Sequence, residues 1–389
     1  MRKKELAIFG GAPIRKEPFI WGTTIGEEEK RAVLEVLESG KLSVFRGGNQ
    51  VRNFEKEFAQ YCGSLYGVAT TSGTSALHSA VAALEIQRGD EVLVPSLTFV
   101  STASVVLQQE AIPVFVDIDK ESYCISLEDL ESKITKKTKA VIPVHLFGHP
   151  ADMDGIQFLA KKNNFNIIED AAQAHGSEYK GRKVGSFGDF GCFSFFQTKN
   201  MTCGEGGMVL TNDPQLYASV RLRREHGSPE NSNTWYIYDV LGFNYNMTEL
   251  QASIGRAQLQ KLDEFNRKRR ENAAFYFENI INTNLVMPKL KDNIYHVFHN
   301  FPVLLPKEIT KNRANFVSAV KAEGVPIDVC YPTPLYKTKI FDYSKDTICK
   351  NCEDISSRIM TLFTDPCLTK KDLKDICDAV MKVAEYYIR

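Results

Sequence analysis

The sequence lacks an excess of charge of either sign: Lys plus Arg and Asp plus Glu both number 48, and the formal net charge is zero. A neutral chain has no electrostatic reason to bind nucleic acid or an acidic membrane surface. The sequence also lacks any run of the roughly 18 apolar residues that a membrane-spanning helix needs. The apolar stretch from Leu6 to Ala12 is too short, and too interrupted by glycine, to be a secretory signal peptide. We therefore expect a cytoplasmic protein.

A disulfide framework and a complete set of metal ligands are missing as well. The nine cysteines are odd in number and mostly scattered singly, which is typical of reduced thiols in the cytosol. Cys349 and Cys352 have the spacing of zinc ligands, but a structural zinc site needs four ligands and no second such pair follows. His296 and His299 lie well upstream, in a strand-like stretch that would point them in opposite directions. The sequence predicts no metal site.

What is present is the composition of an ordinary globular protein, 43% hydrophobic and 25% charged over 389 residues. Thr24 and Glu27 have the spacing of a capping box that opens a helix, and Gly40 is placed to end that helix. Beyond it, short β-rich apolar runs alternate with helical patterns. The strand candidates are Val92–Val94, Val114–Ile118, Ala140–Val144 and Asn166–Glu169, and the helical stretches include Ala76–Leu84, Val100–Leu107 and Met153–Lys162. This alternation predicts an α/β domain with a mostly parallel sheet between helices.

The pattern changes near residue 248. From Thr248 to about Phe277 the sequence predicts one long helix, followed by a strand-like segment, YHVFHNFPVLL. Helical patterns follow over Arg313–Ala322 and Lys370–Tyr387. We predict a large domain over residues 1–250 and a smaller C-terminal α+β domain over residues 251–389.

Ligands of open α/β sheets bind beyond the C-terminal ends of the strands, and three segments carry polar residues that could meet there. The first segment is TTSGTSALHSAVAAL, in which small residues lead straight into an amphipathic helix. The free N–H groups at that helix start, with the hydroxyls of Thr74 and Ser75, would suit a phosphate group. Ser, Thr and Gly before a helix are more often a simple N-cap, so this segment alone leaves both interpretations open.

The second segment is FNIIEDAAQAHG, where an apolar strand ends in Glu169 and Asp170. A carboxylate at a strand end can pair with a protonated pyridine nitrogen, which makes the ring an electron sink. From spacing alone, an acid that caps a helix is the favoured alternative. We interpret His175 as a structural hydrogen-bonding residue, because nothing nearby forms a triad or a metal pair with it.

The third segment is GDFGCFSFFQTKNMTCGEGGMVLTND, a strand-like aromatic stretch that ends at Lys199 before a Gly-rich turn. A lysine just past a buried strand is desolvated, which lowers its pKa and frees a neutral amine for imine chemistry. A lysine on a solvated loop is the commoner alternative. Ser194 lies upstream and could supply a hydroxyl to a phosphate group. Together, a phosphate cradle, an acid, a hydroxyl and a lysine in this order match the requirements of a pyridoxal phosphate site.

From GGAPIR near the N-terminus to the last helix, the chain resembles the DegT/StrS family of pyridoxal-phosphate-dependent sugar and aminocyclitol aminotransferases. The landmarks occur in family order: SGTSAL, VPSLTFVSTA, PVFVDID, IPVHLFGHPADMD, EDAAQAHG, the lysine segment with GEGG, and GFNYNMTELQA. A series of long landmarks in register is far more specific than any short motif. The resemblance implies an aspartate aminotransferase-like fold (fold type I).

The resemblance also assigns roles to individual residues. It implies that Lys199 is the Schiff-base lysine and proton shuttle, that Asp170 is the acid on the pyridine nitrogen, and that Gln173 lies beside the ring near its hydroxyl. The other cofactor contacts that it implies are the phosphate-side residues Gly73, Thr74, Ser75 and Ser194, and the ring-face residue Phe99.

The segment GFNYNMTE implies a partner subunit. In the family this segment reaches into the neighbouring subunit's site and helps hold the cofactor phosphate, so we expect a homodimer with shared active sites. The family commonly has Asn then Arg, or Lys then Asn, at the two positions that are Asn244 and Asn246 here. Asparagine at both positions leaves open which of the two contacts the phosphate.

The activity that the resemblance implies is transamination in two half-reactions. Glutamine or glutamate would convert the cofactor to pyridoxamine phosphate, which would then aminate a keto-sugar, often nucleotide-linked, or a keto-cyclitol. GGAPIR and SYCISLE favour the subgroup with aminocyclitol and aminohydroxybenzoate enzymes. Lys199 argues against the family branch that removes sugar hydroxyls with a histidine at this position. Two alternatives remain: a dehydratase or aromatising enzyme on the same cofactor, and a non-catalytic regulator on the same fold.

Overall fold

The computed structural model describes residues 5–229, 236–344 and 346–388. Its strands are β1 Tyr66–Thr70, β2 Glu91–Pro95, β3 Ile112–Val116, β4 Thr138–Val141, β5 Asn166–Asp170, β6 Glu178–Tyr179, β7 Arg182–Lys183, β8 Phe190–Ser194, β9 Gly207–Thr211, β10 Ile294–Tyr295, β11 Phe301–Leu304 and β12 Ile359–Leu362. Seven of them form one sheet in the order β1, β9, β8, β5, β4, β2, β3. The contacts of β2 with β3, β2 with β4, β4 with β5 and β5 with β8 are parallel, whereas β9 runs antiparallel to β1 and β8. The predicted α/β class with a mostly parallel, mixed sheet is confirmed, and so are the four strand candidates.

The helices are α1 Glu27–Ser39, α2 Gln50–Cys62, α3 Gly73–Ala83, α4 Ser101–Gln108, α5 Leu127–Lys133, α6 Met153–Asn163, α7 Pro214–Arg224, α8 Glu249–Leu259, α9 Leu262–Asn279, α10 Arg313–Ala322, α11 Lys350–Arg358 and α12 Lys370–Tyr387. The helices predicted between the strands are α3, α4 and α6, and the two predicted in the C-terminal part are α10 and α12. Gly40 ends α1 with a left-handed backbone, φ 66°, as predicted. Within the described ranges, no helix is long and apolar enough to cross a membrane.

Apolar side chains form three buried clusters. One lies around the parallel strands and contains Val94 and Val141, and a second lies between the sheet and helices α2, α8 and α9, around Phe58. The third joins α9, α10 and α12 to the β11–β12 pair and also takes in Leu6. The first cluster also contains residues far along the chain, such as Phe341. The boundary between residues 250 and 251 stays a prediction.

The single helix predicted over residues 248–277 is wrong, because α8 and α9 are separate helices with a turn at residues 260–261. The N–H of Lys261 donates to the carbonyl of Gln258, three residues back, at 3.0 Å. Both side chains at this turn are held by Glu29 of α1, whose Oε1 lies 2.9 Å from Gln258 Nε2 and 2.8 Å from Lys261 Nζ. These contacts between distant segments have no signature in local periodicity, which is why the sequence pattern missed the break.

Half of a capping box opens α1, two residues further along than predicted. The N-cap is Gly26, and Glu29 reaches back to accept its N–H at 2.7 Å. Glycine has no side chain that could accept the N–H of Glu29 in return. The predicted pairing of Thr24 with Glu27 is therefore wrong, and only the acidic half of the predicted motif is present. The carbonyl of Thr24 instead accepts from Gln258 Nε2 at 2.9 Å.

The N-terminal segment that contains GGAPIR docks onto the C-terminal helices. The buried carboxylate of Glu323, at the end of α10, accepts the N–H groups of Ala7 and Ile14 at 2.9 and 3.1 Å. Arg15 forms an ion pair with Asp372 in α12 at 2.6 Å. The first and last parts of the chain are thereby joined into one packed unit.

Candidate active site

The three segments singled out from the sequence meet at one edge of the large sheet. Asp170 and Ser194 are the last residues of β5 and β8, which are parallel neighbours, so their C-terminal ends lie side by side. Helix α3 begins at Gly73 against the same edge: a Cβ placed on Gly73 would lie 2.6 Å from Ser194 Cβ. Any larger residue would push the helix start away from β8. Lys199 lies in the loop after β8, five residues beyond the strand end rather than at it as predicted.

Asp170 is buried and is held by neutral hydrogen-bond donors. Thr102 Oγ1 donates to its Oδ2 at 2.8 Å, and the N–H of Ala172 donates to its Oδ1 at 3.2 Å. Thr98 adds a second hydroxyl, 2.9 Å from that of Thr102. Burial raises the pKa of Asp170, while these donors and the charge of Lys199 oppose the rise. Among the described residues the carboxylate has no ion-pair partner within 4.0 Å, so it is suited to a cation supplied by a ligand.

Lys199 is half-buried, and burial lowers its pKa, with the charge of Asp170 acting in the opposite direction. The next residue, Asn200, is buried and fixes the loop. Its Nδ2 donates to Asn266 of α9 at 2.9 Å, and its Oδ1 lies 3.2 Å from His299 Nδ1. Since an amide oxygen only accepts, His299 must carry its proton on Nδ1. The sequence analysis missed Asn200, and its local pattern carries no signal for this role.

At the start of α3, the N-cap interpretation is confirmed for Ser72 and Ser75. Ser75 is committed to the helix cap, because its hydroxyl accepts the N–H of Ser72 at 2.8 Å and its own N–H donates to Ser72 Oγ at 3.1 Å. The Thr74 hydroxyl instead contacts that of Ser101, at the start of α4, at 2.7 Å. Ser194 Oγ accepts the N–H of Phe196 at 3.3 Å. The free N–H groups of the first turn and these hydroxyls form a cradle of donors without charged acceptors. The phosphate roles of all four phosphate-side residues stay predictions.

The side-chain amide of Gln173 is held at both ends. Its Oε1 accepts the N–H of Phe147 at 2.8 Å, and its Nε2 donates to the hydroxyl of Tyr331 at 2.6 Å. The contact with Phe147 fixes which end of the amide is oxygen. The sequence analysis missed Tyr331, which lies 158 positions away along the chain.

Phe99 and the two asparagines lie on the surface of this single chain. Phe99 is 59% exposed just before α4, although bare sequence would place it in the core. Asn244 is exposed, and Asn246 forms an isolated backbone bridge with Thr70 at the end of β1. Asn246 Nδ2 also donates to Asn244 Oδ1 at 3.1 Å and to Glu225 at 3.3 Å. Their contacts with a cofactor stay predictions.

His175 has a structural environment. Neither ring nitrogen meets ordinary hydrogen-bond geometry with a described residue, although the backbone of Ser194 is near enough to raise the pKa of the ring slightly. The interpretation as a hydrogen-bonding residue stays a prediction. The ring lies among Phe58, Phe193 and Phe195, with centroid distances of 6.3, 5.4 and 5.6 Å. Burial, followed by the charge of Lys199, lowers the pKa of His175 to about 3, so the ring is neutral and packs as an aromatic side chain.

Glu169 supports the site from behind Asp170, since consecutive strand residues point to opposite faces of the sheet. His145 Nε2 donates to it at 3.0 Å, and His145 Nδ1 accepts the N–H of Ala151 at 3.0 Å, which fixes the neutral tautomer. Both side chains are fully buried. The carboxylate also accepts three backbone N–H groups, at 2.7, 2.6 and 2.8 Å, from Gly185, Phe187 and Gly188.

We expect Glu169→Ala to lower the free energy of unfolding by about 3–5 kcal/mol, because four donors, two of them buried and two part-buried, lose their acceptor at once. Urea denaturation of the apoprotein measures this. Glu131→Ala is the control, because it removes an exposed ion pair with Lys162 and should change the free energy by less than about 1 kcal/mol. A loss below about 1 kcal/mol for Glu169→Ala would show that the network is dispensable.

The residues at this edge fit pyridoxal phosphate. Asp170 is a buried carboxyl group without a protein cation within 4.0 Å among the described residues, Lys199 is an amine with a lowered pKa, and the start of α3 offers donors to a phosphate group. A mixed sheet of this order, with such a lysine and aspartate at one edge, is typical of pyridoxal-phosphate-dependent enzymes with the aspartate aminotransferase-like fold type I.

Comparison with known proteins agrees. Residues 23–381 match the model of the DegT/DnrJ/EryC1/StrS aminotransferase family. The chain therefore belongs to this family, and it is a pyridoxal-phosphate-dependent transaminase, as its motifs indicated.

Individual relatives cover almost the whole chain. It is 42% identical to the UDP-N-acetyl-3-dehydro-alpha-D-glucosamine 3-aminotransferase of Acidithiobacillus ferrooxidans, over 86% of this chain and 89% of the relative. It is 39% identical to the GDP-perosamine synthase of Escherichia coli O157:H7, over 93% of this chain and 97% of the relative. Among solved structures, NtdA from Bacillus subtilis with bound cofactor PMP is 28% identical, with a TM-score of 0.86 over 95% of this chain and 86% of that chain.

Proposed function

We propose that this enzyme transfers an amino group from glutamate or glutamine to the keto group of a nucleotide-linked sugar. One observation carries the proposal: a buried aspartate, Asp170, and a lysine with a lowered pKa, Lys199, lie at the same sheet edge, and the aspartate has no cation of the described residues within 4.0 Å. This pair supports transamination by pyridoxal phosphate. The two curated relatives described above are named for UDP- and GDP-linked sugars, which supports a nucleotide-linked acceptor rather than a free keto-cyclitol.

The residues of the chain divide the work as follows. Asp170, oriented by Thr102 and the N–H of Ala172, would keep a proton on the pyridine nitrogen. Lys199 would attach the cofactor through its neutral amine and afterwards carry a proton between cofactor and substrate carbons. The first turn of α3, with Thr74, would bind the phosphate. When bound, pyridoxal phosphate supplies an electron sink for the charge that develops when the proton leaves the substrate carbon.

The lowered pKa of Lys199 predicts a specific pH dependence for cofactor attachment. Only the neutral amine attacks an aldehyde, so the rate rises about tenfold per pH unit below the pKa of Lys199 and levels off above it. Because that pKa lies below the 10.5 of an ordinary lysine, the plateau should begin before pH 10.5. Growth of visible absorbance after mixing apoenzyme with pyridoxal phosphate measures the rate. Free Nα-acetyl-lysine, which has no buried environment, is the control. A rate that still climbs at pH 10.5 contradicts the desolvated lysine.

We also propose a homodimer in which the Asn244–Asn246 segment completes the neighbouring site. Asn244 is exposed, and several large apolar residues on the same chain are exposed too, among them Phe45 at 60% and Leu241 at 82%. Exposed apolar side chains that gather in one patch are typical of an interface, and the proposed dimer would cover these residues. Light scattering during gel filtration would test the mass.

Shared sites predict complementation between an inactive variant and one of lowered activity, if Asn246 is the asparagine that reaches the neighbouring site. A refolded mixture of Lys199→Ala and Asn246→Ala chains should regain about a quarter of wild-type activity, because half of the dimers are mixed and each mixed dimer has one intact site. If each site used residues of one chain only, mixing would restore nothing beyond the activity of the Asn246→Ala chain itself.

The substrate proposal is tested with a panel of keto-sugars linked to UDP and GDP and a keto-cyclitol, each offered with glutamate and with glutamine. The expected product is an amino sugar, identified by mass spectrometry and formed only with the donor. Product formed without a donor would favour the dehydratase or aromatising alternative. Amination of the cyclitol alone would overturn the sugar assignment. No turnover and no cofactor binding would favour the regulator.

A further inference from the structure

Gln173 is fixed by two residues that share an uncommon backbone conformation. Phe147, which donates its N–H to Gln173, has φ 57°, and Tyr331, which accepts from it, has φ 55°. Bulky residues rarely adopt this left-handed region, and such conformations cluster at functional sites where the surrounding structure enforces them. The two rings also contact each other, with centroids 6.0 Å apart. Both residues that contact the Gln173 side-chain amide, Phe147 at its oxygen and Tyr331 at its nitrogen, thus have an unfavourable backbone conformation.

Tyr331 belongs to a segment, residues 328–335, that links the C-terminal sheet to the large sheet; we name it the crossing segment. At its start, Asp328 exchanges backbone hydrogen bonds with Thr361 of β12, at 3.1 and 2.8 Å. At its end, the N–H of Leu335 donates to the carbonyl of Ser96, directly after β2, at 2.9 Å. Anchored at both ends, the segment places the Tyr331 ring over Gln173.

The hydrogen-bond roles at Gln173 are determined by its partners. Its Oε1 accepts from a backbone N–H, so Nε2 faces Tyr331 and must donate to the phenolic oxygen. Burial raises the pKa of Tyr331, so the phenol keeps its own proton for a further acceptor. One hydrogen of Nε2 also remains, and the contacts with Phe147 and Tyr331 together fix the direction in which it points.

We propose that Tyr331 is a positioning residue that orients the Gln173 amide toward the cofactor ring. The affinity for the cofactor would then depend on the crossing segment, which carries Tyr331. The inference rests on the proposed function, because it requires pyridoxal phosphate beside Gln173. Without the phenolic oxygen, the amide loses the only side-chain acceptor of its Nε2 among the described residues and is held by the N–H of Phe147 alone. The Nε2 donor beside the cofactor is then less firmly fixed.

Tyr331→Phe keeps the ring and removes the oxygen. We expect the dissociation constant for pyridoxal phosphate to rise about tenfold, the factor that corresponds to about 1.4 kcal/mol. The absorption maximum of the bound cofactor should shift as well, because the donor beside its ring is no longer fixed. Tyr179→Phe is the matched control: its hydroxyl donates to Asp152 at 2.8 Å, away from this edge, and its loss should change neither quantity.

A double-mutant cycle with Gln173→Ala separates positioning from general support. If Tyr331 acts through Gln173, then Tyr331→Phe should weaken binding less than about twofold further in the Gln173→Ala background. Equal losses in both backgrounds would overturn the inference, as would Tyr331→Phe behaving like Tyr179→Phe. Failure of the wild-type chain to bind pyridoxal phosphate would instead refute the proposed function. If Tyr331→Phe does not fold, Tyr331→His, which retains a hydrogen-bonding nitrogen, should bind more tightly than Tyr331→Leu; equal binding by these two variants would also overturn the inference.

Discussion

Lys199→Ala is expected to lower transaminase turnover by at least about 10³-fold, because the variant loses both the attachment point of the cofactor and the group that moves the proton. Among the described residues, no other amine takes part in the contacts at this edge. Asn200, anchored to α9, holds the lysine loop in place whether or not the amine is present. The loss should therefore be chemical rather than structural.

The measurement is the rate of amino-sugar formation, with the visible absorption spectrum recorded beside it. Lys180→Ala is the control, since it removes an exposed lysine that pairs with Asp154 on the surface. The control should retain wild-type turnover, and both variants should unfold at the wild-type urea concentration. Turnover within about tenfold of wild type in Lys199→Ala would overturn the assignment of this lysine.

Asp170→Asn is expected to lower kcat by about 10²–10³-fold, the range seen when one preorganised electrostatic group is removed from an active site. The amide is close in shape, and it can still accept from Thr102. It carries no charge, however, and so cannot hold a proton on the pyridine nitrogen. The ring then withdraws electrons less well, and removal of the substrate proton becomes slower.

Asp189→Asn is the matched control for this change. Asp189 is a half-buried carboxylate near the same strands; burial raises its pKa, and it accepts the N–H of Ile167 at 2.7 Å. Its substitution should reduce stability but leave kcat within about threefold of wild type. If both variants lost the same activity, the effect of Asp170→Asn would come from the fold rather than from charge. Asp170 is proposed to keep the pyridine nitrogen protonated at every pH of the assay. A visible spectrum of the bound cofactor that changes with pH in Asp170→Asn, but not in Asp189→Asn or wild type, would support this role.

The residues of the candidate site that could be predicted were those that lie in a recognisable pattern within one short segment of sequence. Lys199, Asp170 and the start of α3 each follow a recognisable strand or helix pattern, and the order of the landmarks joined them into a family. Ser75 shows the limit of that approach, because both the cap and the phosphate role are consistent with its position in the sequence. Its hydroxyl is committed to the cap, a choice that depends on the local fold of Ser72.

Residues that act through distant contacts could not be found in this way. Thr102 meets Asp170 across 68 positions, and Tyr331 meets Gln173 across 158. Nothing in the spacing of a threonine inside α4, or of a tyrosine before a proline, indicates a partner so far along the chain. The break between α8 and α9 was missed for the same reason, since Glu29 enforces it from α1.

By itself, the sequence determined the fold class, the order of four strands and the helices predicted between them, the family, and the lysine and aspartate that are candidates for the chemistry of transamination. These depend on local hydrophobic periodicity and on motifs in register, which are properties of neighbouring residues. Only the tertiary structure decided which partner each hydroxyl contacts, which way the Gln173 amide points, that His175 packs among aromatic side chains, and that Glu169 and His145 support the site. Those outcomes depend on burial and on hydrogen bonds between segments far apart in the chain, and such contacts exist only once the sheet has brought the ends of its strands together.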